Sequence, residues 1–256
     1  LGANAETMLN LLPSLLLLSL TTHQDTATTP PADELVRNGG FEWVGEKPPT
    51  VDGLKDAVGW GNVTLGLSEL FSRESKEKDV GIPVNLYGTM EPFEGEHYAG
   101  FFAWKDDQRR NWEGGTEDPF KPGWSVYSEY LQSELVKPLQ RDSTYELVFW
   151  VALSANSDRA VSALGAYCSP RQLEYGHRRF LEEKPQVYVE EIQSEKGKWV
   201  EVKGRFVADG GERFIVIGTW PYAGFETRRV VEEHDNQYAY YYLDGISLRR
   251  VPGGDE

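Results

Sequence analysis

"LVRNGGFEW", residues 35–43, leaves a polar leader, turns through Asn38-Gly39-Gly40 and then sets Phe41 beside Glu42 and Trp43. Asn-Gly-Gly is chain-reversing chemistry, and an aromatic-rich stretch suits a half-buried pleated surface. The stretch is therefore expected to be the first strand of a β-sandwich, and the remaining segments can be read outward from it.

Upstream, "MLNLLPSLLLLSL" (8–20) is apolar but too short to span a bilayer as a helix, and Pro13 interrupts it. Its length matches a signal-peptide core, so residues 1–20 are expected to be a leader, with Met8 a candidate initiator, and no transmembrane anchor is expected. "TTHQDTATTPPADE" (21–34) has Thr and Pro without hydrophobic periodicity and reads as a linker. The folded domain is expected over 35–250, followed by a tail, "VPGGDE", at 251–256.

Downstream, two-residue alternation recurs in "YELVFWVALS" (145–154), "ERFIVIGTW" (212–220) and "YAYYYLDGISL" (238–248). Each is preceded by an Asp, Asn, Gly or Ser cluster that can reverse the chain. Further strands are expected in 96–104, 128–135, 161–169, 186–192 and 199–208. In the strand from Tyr145, one face carries Tyr145, Leu147, Phe149, Val151 and Leu153, and the other carries Val148, Trp150 and Ala152. One face belongs to an inter-sheet core, and the other must be covered by loops or form a groove. The fold class is all-β: a jelly-roll β-sandwich of two antiparallel sheets.

With 41 acidic against 26 basic residues the net charge is −15, which opposes a phosphate backbone and disfavours nucleic acid as a partner. Cys168 is the single cysteine, so an intrachain disulfide and a thiolate zinc cluster are both excluded. Its setting, "LGAYCSP", reads as a buried strand. The four histidines have no metal-ligand spacing, and no nucleophile elbow, phosphate loop or HExxH helix is present.

These segments resemble the galactose-binding-like jelly-roll domain of secreted and envelope proteins of Bacteroidota-type bacteria, which often precedes an OmpA-like peptidoglycan-binding domain. The resemblance rests on "NGGFE" (38–42), "VGIPVNLYG" (80–88), "GEHYAGFFAW" (95–104), "YSEYLQSELVKPL" (127–139), residues 144–167, "FVADGGERFIVIG" (206–218) and "YYYLDGISL" (240–248). It implies a non-catalytic fold related to carbohydrate-binding modules, located in the periplasm, at the cell surface or outside the cell. It also implies a structural calcium ion, with Glu42 and Asp244 as its side-chain ligands. Relatives commonly carry a second acid where this chain has Gly245.

Sugars stack their C–H faces on aromatic rings while amides and charged groups orient the hydroxyls. The candidates for a glycan or envelope polymer are therefore Trp104, Trp150, Tyr167 and Trp220, with Asn85, Asn156 and Arg159 in neighbouring loops. A structural or adhesive protein that binds another protein is a competing reading. So is a hydrolase or lyase using paired carboxylates, for which Glu91, Glu94, Glu129, Glu146 and Asp209 lie near strand ends. Two irregular inserts stand out: the Trp-rich loop 104–124, and "SPRQLEYGHRRFLEEKP" (169–185), expected to form one helix or a flap.

Overall fold

A computed structural model describes residues 33–106, 126–232 and 237–252. The leader, nearly all of the linker, most of the 104–124 loop and the end of the tail lie outside them. The described residues all belong to one compact unit, Pro31–Glu256.

The strands are, in chain order, β1 (Trp60–Asn62), β2 (Glu69–Ser72), β3 (Val84–Asn85), β4 (Gly88–Thr89), β5 (His97–Asp106), β6 (Val126–Tyr127), β7 (Leu131–Glu134), β8 (Thr144–Leu153), β9 (Arg159–Val161), β10 (Leu164–Ser169), β11 (Val187–Tyr188), β12 (Val200–Val207), β13 (Phe214–Thr219), β14 (Thr227–Arg229) and β15 (Tyr238–Arg250). Among the described residues, helix is confined to three short 3₁₀ turns.

Two antiparallel sheets make the jelly-roll sandwich. One has the order β12-β8-β15-β5-β2, with β6 added beside β5, and the other has β1-β7-β13-β10-β11. Strand alternation builds the core between them. Tyr145, Leu147, Phe149, Val151 and Leu153 of β8 point inward with Phe101 of β5 and Leu243 of β15, and they meet Leu131, Ile215, Ile217, Leu164, Ala166 and Cys168 of the opposing sheet. Burial pushes the Cys168 thiol upward, with the charge of Glu212 adding to it, so the thiol stays protonated and inert.

Both outer faces are covered. On the six-stranded sheet, Phe71, Tyr98, Tyr240 and Tyr242 pack under Val80, Tyr87 and Met90 from the connection between β2 and β5. On the five-stranded sheet, Tyr130, Val216 and Trp220 pack under Leu173 and Leu181 from the 170–186 insert. The segment expected as one strand over 161–169 is two, β9 and β10. Ala163, at φ 63°, breaks it in the left-handed region.

The opening stretch is corrected in kind but not in place. Residues 35–43 form no strand. Residues 37–40 turn, and Phe41 takes φ 59° with its amide on the Asn38 carbonyl at 3.2 Å. The Asn38 side chain replaces a ladder partner: it donates to the Trp43 and Val58 carbonyls and accepts from the Trp43 amide. Phe41 is nevertheless fully buried in the same core as Leu243, its ring centroid 4.9 Å from that of Trp60. The first and last segments of the domain do run together. Leu35 donates to the Leu248 carbonyl and Ile246 to the Gly39 carbonyl, both at 3.0 Å. Glu34 adds to this by accepting from the amides of Leu35, Val36 and Leu248, the Ser247 hydroxyl and the Arg249 guanidinium.

Candidate functional site

The 170–186 insert crosses the outer face of the five-stranded sheet without forming a helix. Backbone bonds hang it there: Tyr175 donates to Val63, Leu65 to His177 and Ser128 to Arg178, at 2.8–3.0 Å. The buried Tyr130 hydroxyl accepts from the Leu181 amide. Leu173 and Leu181 supply the apolar anchor.

Anchored at Leu173 and Leu181, the insert shapes a cleft of about 560 Å³, lined by Tyr175, His177, Arg179, Phe180, Glu182 and Glu183 among others. The Tyr175 and His177 rings lie 5.3 Å apart at 31°. The Tyr175 hydroxyl donates to the Glu183 carboxylate, and this bond, aided by burial, pushes the phenol up to about 12. Phe180 leans edge-on against Phe225 at 4.7 Å. Beside the cleft, the Arg178 guanidinium sits 5.5 Å over the Tyr127 ring. Ring faces, carboxylates and a guanidinium thus open on one space, a mixture that can stack on an apolar face and orient hydroxyl groups.

The residues singled out from sequence are dispersed over both sheets. Tyr167 lies next to the cleft: it is half-buried, 5.6 Å from Trp220, and burial followed by the Glu183 charge raises its phenol. Trp220 is fully buried beneath the insert, its Nε1 donating to the Gly165 carbonyl at 3.1 Å, so its ring faces no ligand. Trp104 is half-buried against the main core. Trp150 stacks on Phe93 at 4.2 Å on the other sheet. Asn85 is buried and spends its amide on the Tyr98 and Tyr242 hydroxyls and the Tyr87 amide. Asn156 holds the Leu86 carbonyl through its side chain. Arg159 opens β9, in register with Arg229. Of the whole set, Tyr167 and Trp220 come together. The cleft residues lie outside the aromatic-rich strands, and in sequence the insert that carries them stands out only as irregular, charged and amphipathic.

Glu42 and Asp244 grip the same turn, residues 93–97. Asp244 Oδ2 accepts from the amides of Phe93 and Glu94, and Oδ1 from Gly245. Glu42 Oε1 accepts from Glu96 and His97 at 3.0 Å, and Oε2 lies 3.3 Å from the His97 ring. Burial, opposed by these amides and reinforced by the Glu94 charge, raises Asp244 to about 8. Calcium seeks six to eight oxygen donors, whereas here N–H groups converge on the carboxylates. Among the described residues no three His, Cys, Asp or Glu side chains gather around a metal position. The donor set as it stands does not fit calcium.

No family model and no curated protein matches the chain. Among solved structures, it is similar to the CBM22-1 xylan-binding domain of Paenibacillus barcinonensis Xyn10C, at 14% identity over 84% of this chain and 94% of that one, with a TM-score of 0.42. It is also similar to TmCBM61 solved with β-1,4-galactotriose, at 12% identity, 85% and 99% coverage and a TM-score of 0.37. The K2 cleaved adhesin domain of Lys-gingipain is similar at 10% identity, 87% and 100% coverage and a TM-score of 0.37. No helix among the described residues is long and apolar enough to cross a membrane.

Proposed function

We propose that the chain is a non-catalytic module that binds a glycan or envelope polymer in the cleft on the five-stranded sheet. One observation carries the reading: the rings of Tyr175 and Phe180 share about 560 Å³ with His177, Arg179, Glu182 and Glu183. That volume lies in the range of small-molecule pockets, about 300–1,000 Å³. Glycoside hydrolysis needs two carboxylates facing each other across the sugar. Glu182 and Glu183 are instead sequence neighbours, one of them already engaged by Tyr175, and Glu129 is sealed inside the fold. Action outside the cytoplasm belongs to the same proposal, supported by the leader-like run at 8–20.

Affinity electrophoresis and calorimetry against soluble polysaccharides test it. Binding to at least one polymer is expected, falling tenfold or more in Tyr175→Ala and Phe180→Ala while melting temperature holds. Unchanged binding in both variants would remove the cleft from the reading. Release of reducing ends during incubation would make the protein an enzyme.

A further inference from the structure

The outer face of the six-stranded sheet holds an arrangement that the cleft does not use. β3 and β4 form a hairpin whose two-residue tip is Leu86-Tyr87. Leu86 is exposed, whereas Tyr87 turns down onto the sheet and is 8% exposed. Its ring lies parallel to that of Tyr240, 3.5 Å away at 9°, and meets Phe102 edge-on at 5.6 Å. Its hydroxyl donates to Glu69 Oε1 at 3.2 Å, while Tyr240 donates to the other oxygen at 2.6 Å. A flat ring stacked on an aromatic face, walled by a second aromatic and hydrogen-bonded through a hydroxyl to a carboxylate, is making the contacts a pyranose makes with a protein.

The floor of this seat is costly for a mere core. Glu69 and Glu129 are both buried. Glu129 accepts from the Phe102 amide at 2.9 Å and from the Tyr127 hydroxyl. Those partners, like the two phenols on Glu69, are neutral. Buried acids without a countercharge destabilise a fold, and such groups concentrate where polar ligands are handled.

We propose that this face is a saccharide subsite occupied by the chain's own Tyr87, which acts as an internal ligand and keeps it closed. The matching external ligand is a neutral sugar ring, since the groups that touch Tyr87 are two ring faces and a carboxyl, with no cation among them to pair with an anionic one. The hairpin does not depend on the Tyr87 ring. Asn85 fixes it to Tyr98 and Tyr242, and Asn156 fixes it through the Leu86 and Tyr87 carbonyls. Removing the ring therefore empties the seat and leaves its frame.

The test places Tyr87→Ala, and the milder Tyr87→Leu, in a Tyr175→Ala/Phe180→Ala background that silences the other cleft. Neutral xylan and galactan and an anionic polygalacturonan serve as probes, with near-UV circular dichroism and melting used to select folded variants. A folded Tyr87 variant is expected to bind a neutral polymer at least tenfold more tightly than its background, and Glu69→Gln should abolish the gain. No gain in a folded variant, a gain only for polygalacturonan, or a gain that survives Glu69→Gln overturns the proposal. None of these results depends on whether the cleft at Tyr175 binds glycan.

Discussion

The Tyr240 hydroxyl reaches Glu69 at 2.6 Å by passing over the backbone of Gly100. Gly100 pairs with Glu69 on one side and Tyr242 on the other, so the interior strand β5 leaves a gap in its side-chain row. Through that gap a phenol from β15 contacts an acid on β2. A Cβ at position 100 would stand 2.5 Å from the Tyr240 oxygen and 2.7 Å from Phe71. Gly100→Ala should therefore destabilise the fold by about 1–3 kcal/mol through overpacking. Urea unfolding monitored by tyrosine and tryptophan fluorescence checks this, and an unchanged midpoint would mean that the rings have room to move.

The same acid gives stability a pH dependence of defined sign. Burial, only partly offset by hydrogen bonds from Tyr240 and Tyr87, raises Glu69 from 4.5 to about 7. Burial and the Glu69 charge shift Glu129 in the same direction, and Asp244 rises from 3.8 to about 8. The folded state thus holds protons that the unfolded state has released, so stability falls as pH rises from about 4 to about 8. Half-buried Glu146 is shifted the other way, held below the usual carboxylate range by hydrogen bonds from Arg205 and Lys203, so its contribution has the opposite sign and belongs to the acid end. The melting temperature should be higher at pH 5 than at pH 8, with the difference reduced in Glu69→Gln and in Asp244→Asn. A flat profile in the parent protein would contradict the burial of these groups.

Glu42 and Asp244 fasten the 93–97 turn by accepting its backbone amides. Asp244→Ala leaves the Phe93 and Glu94 amides without their acceptor, a loss of about 1–3 kcal/mol. Glu42→Ala does the same to Glu96 and His97, with a smaller effect because Glu96 is more exposed. Melting of the parent protein should be equal in excess calcium and in chelator. A calcium-dependent rise that Glu42→Ala removes would show that the ion displaces these amides.

Much of the sandwich was legible in sequence because β8, β13 and β15 send alternate residues to opposite faces of their sheets, as the pleat imposes. Tyr145 through Leu153 could be assigned to one face by counting alone. The apolar second face of β8 also signalled that loops had to cover it. Site residues were less legible. Trp220 and Trp150 have the same composition signal, yet one lies under an insert and the other stacks on Phe93, a difference set by chain segments distant in sequence. Asn85 read as a polar loop residue, but two tyrosine hydroxyls from β5 and β15 converge on it.

The 35–43 stretch marks where local reading failed, and it supplies a sharp test. Gly39 turns the chain as its sequence implies, though no strand follows, and it is also a point of contact: a Cβ there would stand 1.9 Å from the Ile246 carbonyl oxygen. At that bond Ile246 and Gly39 exchange backbone contact beside the β15 bulge between Asp244 and Ser247. Gly40 meets only the flexible end of Glu94, at 2.9 Å. Gly39→Ala should therefore lower the melting temperature substantially, and Gly40→Ala should shift it little. Circular dichroism melts of the two variants make the comparison. Equal effects would mean that the N-terminal segment does not press against the last strand as described.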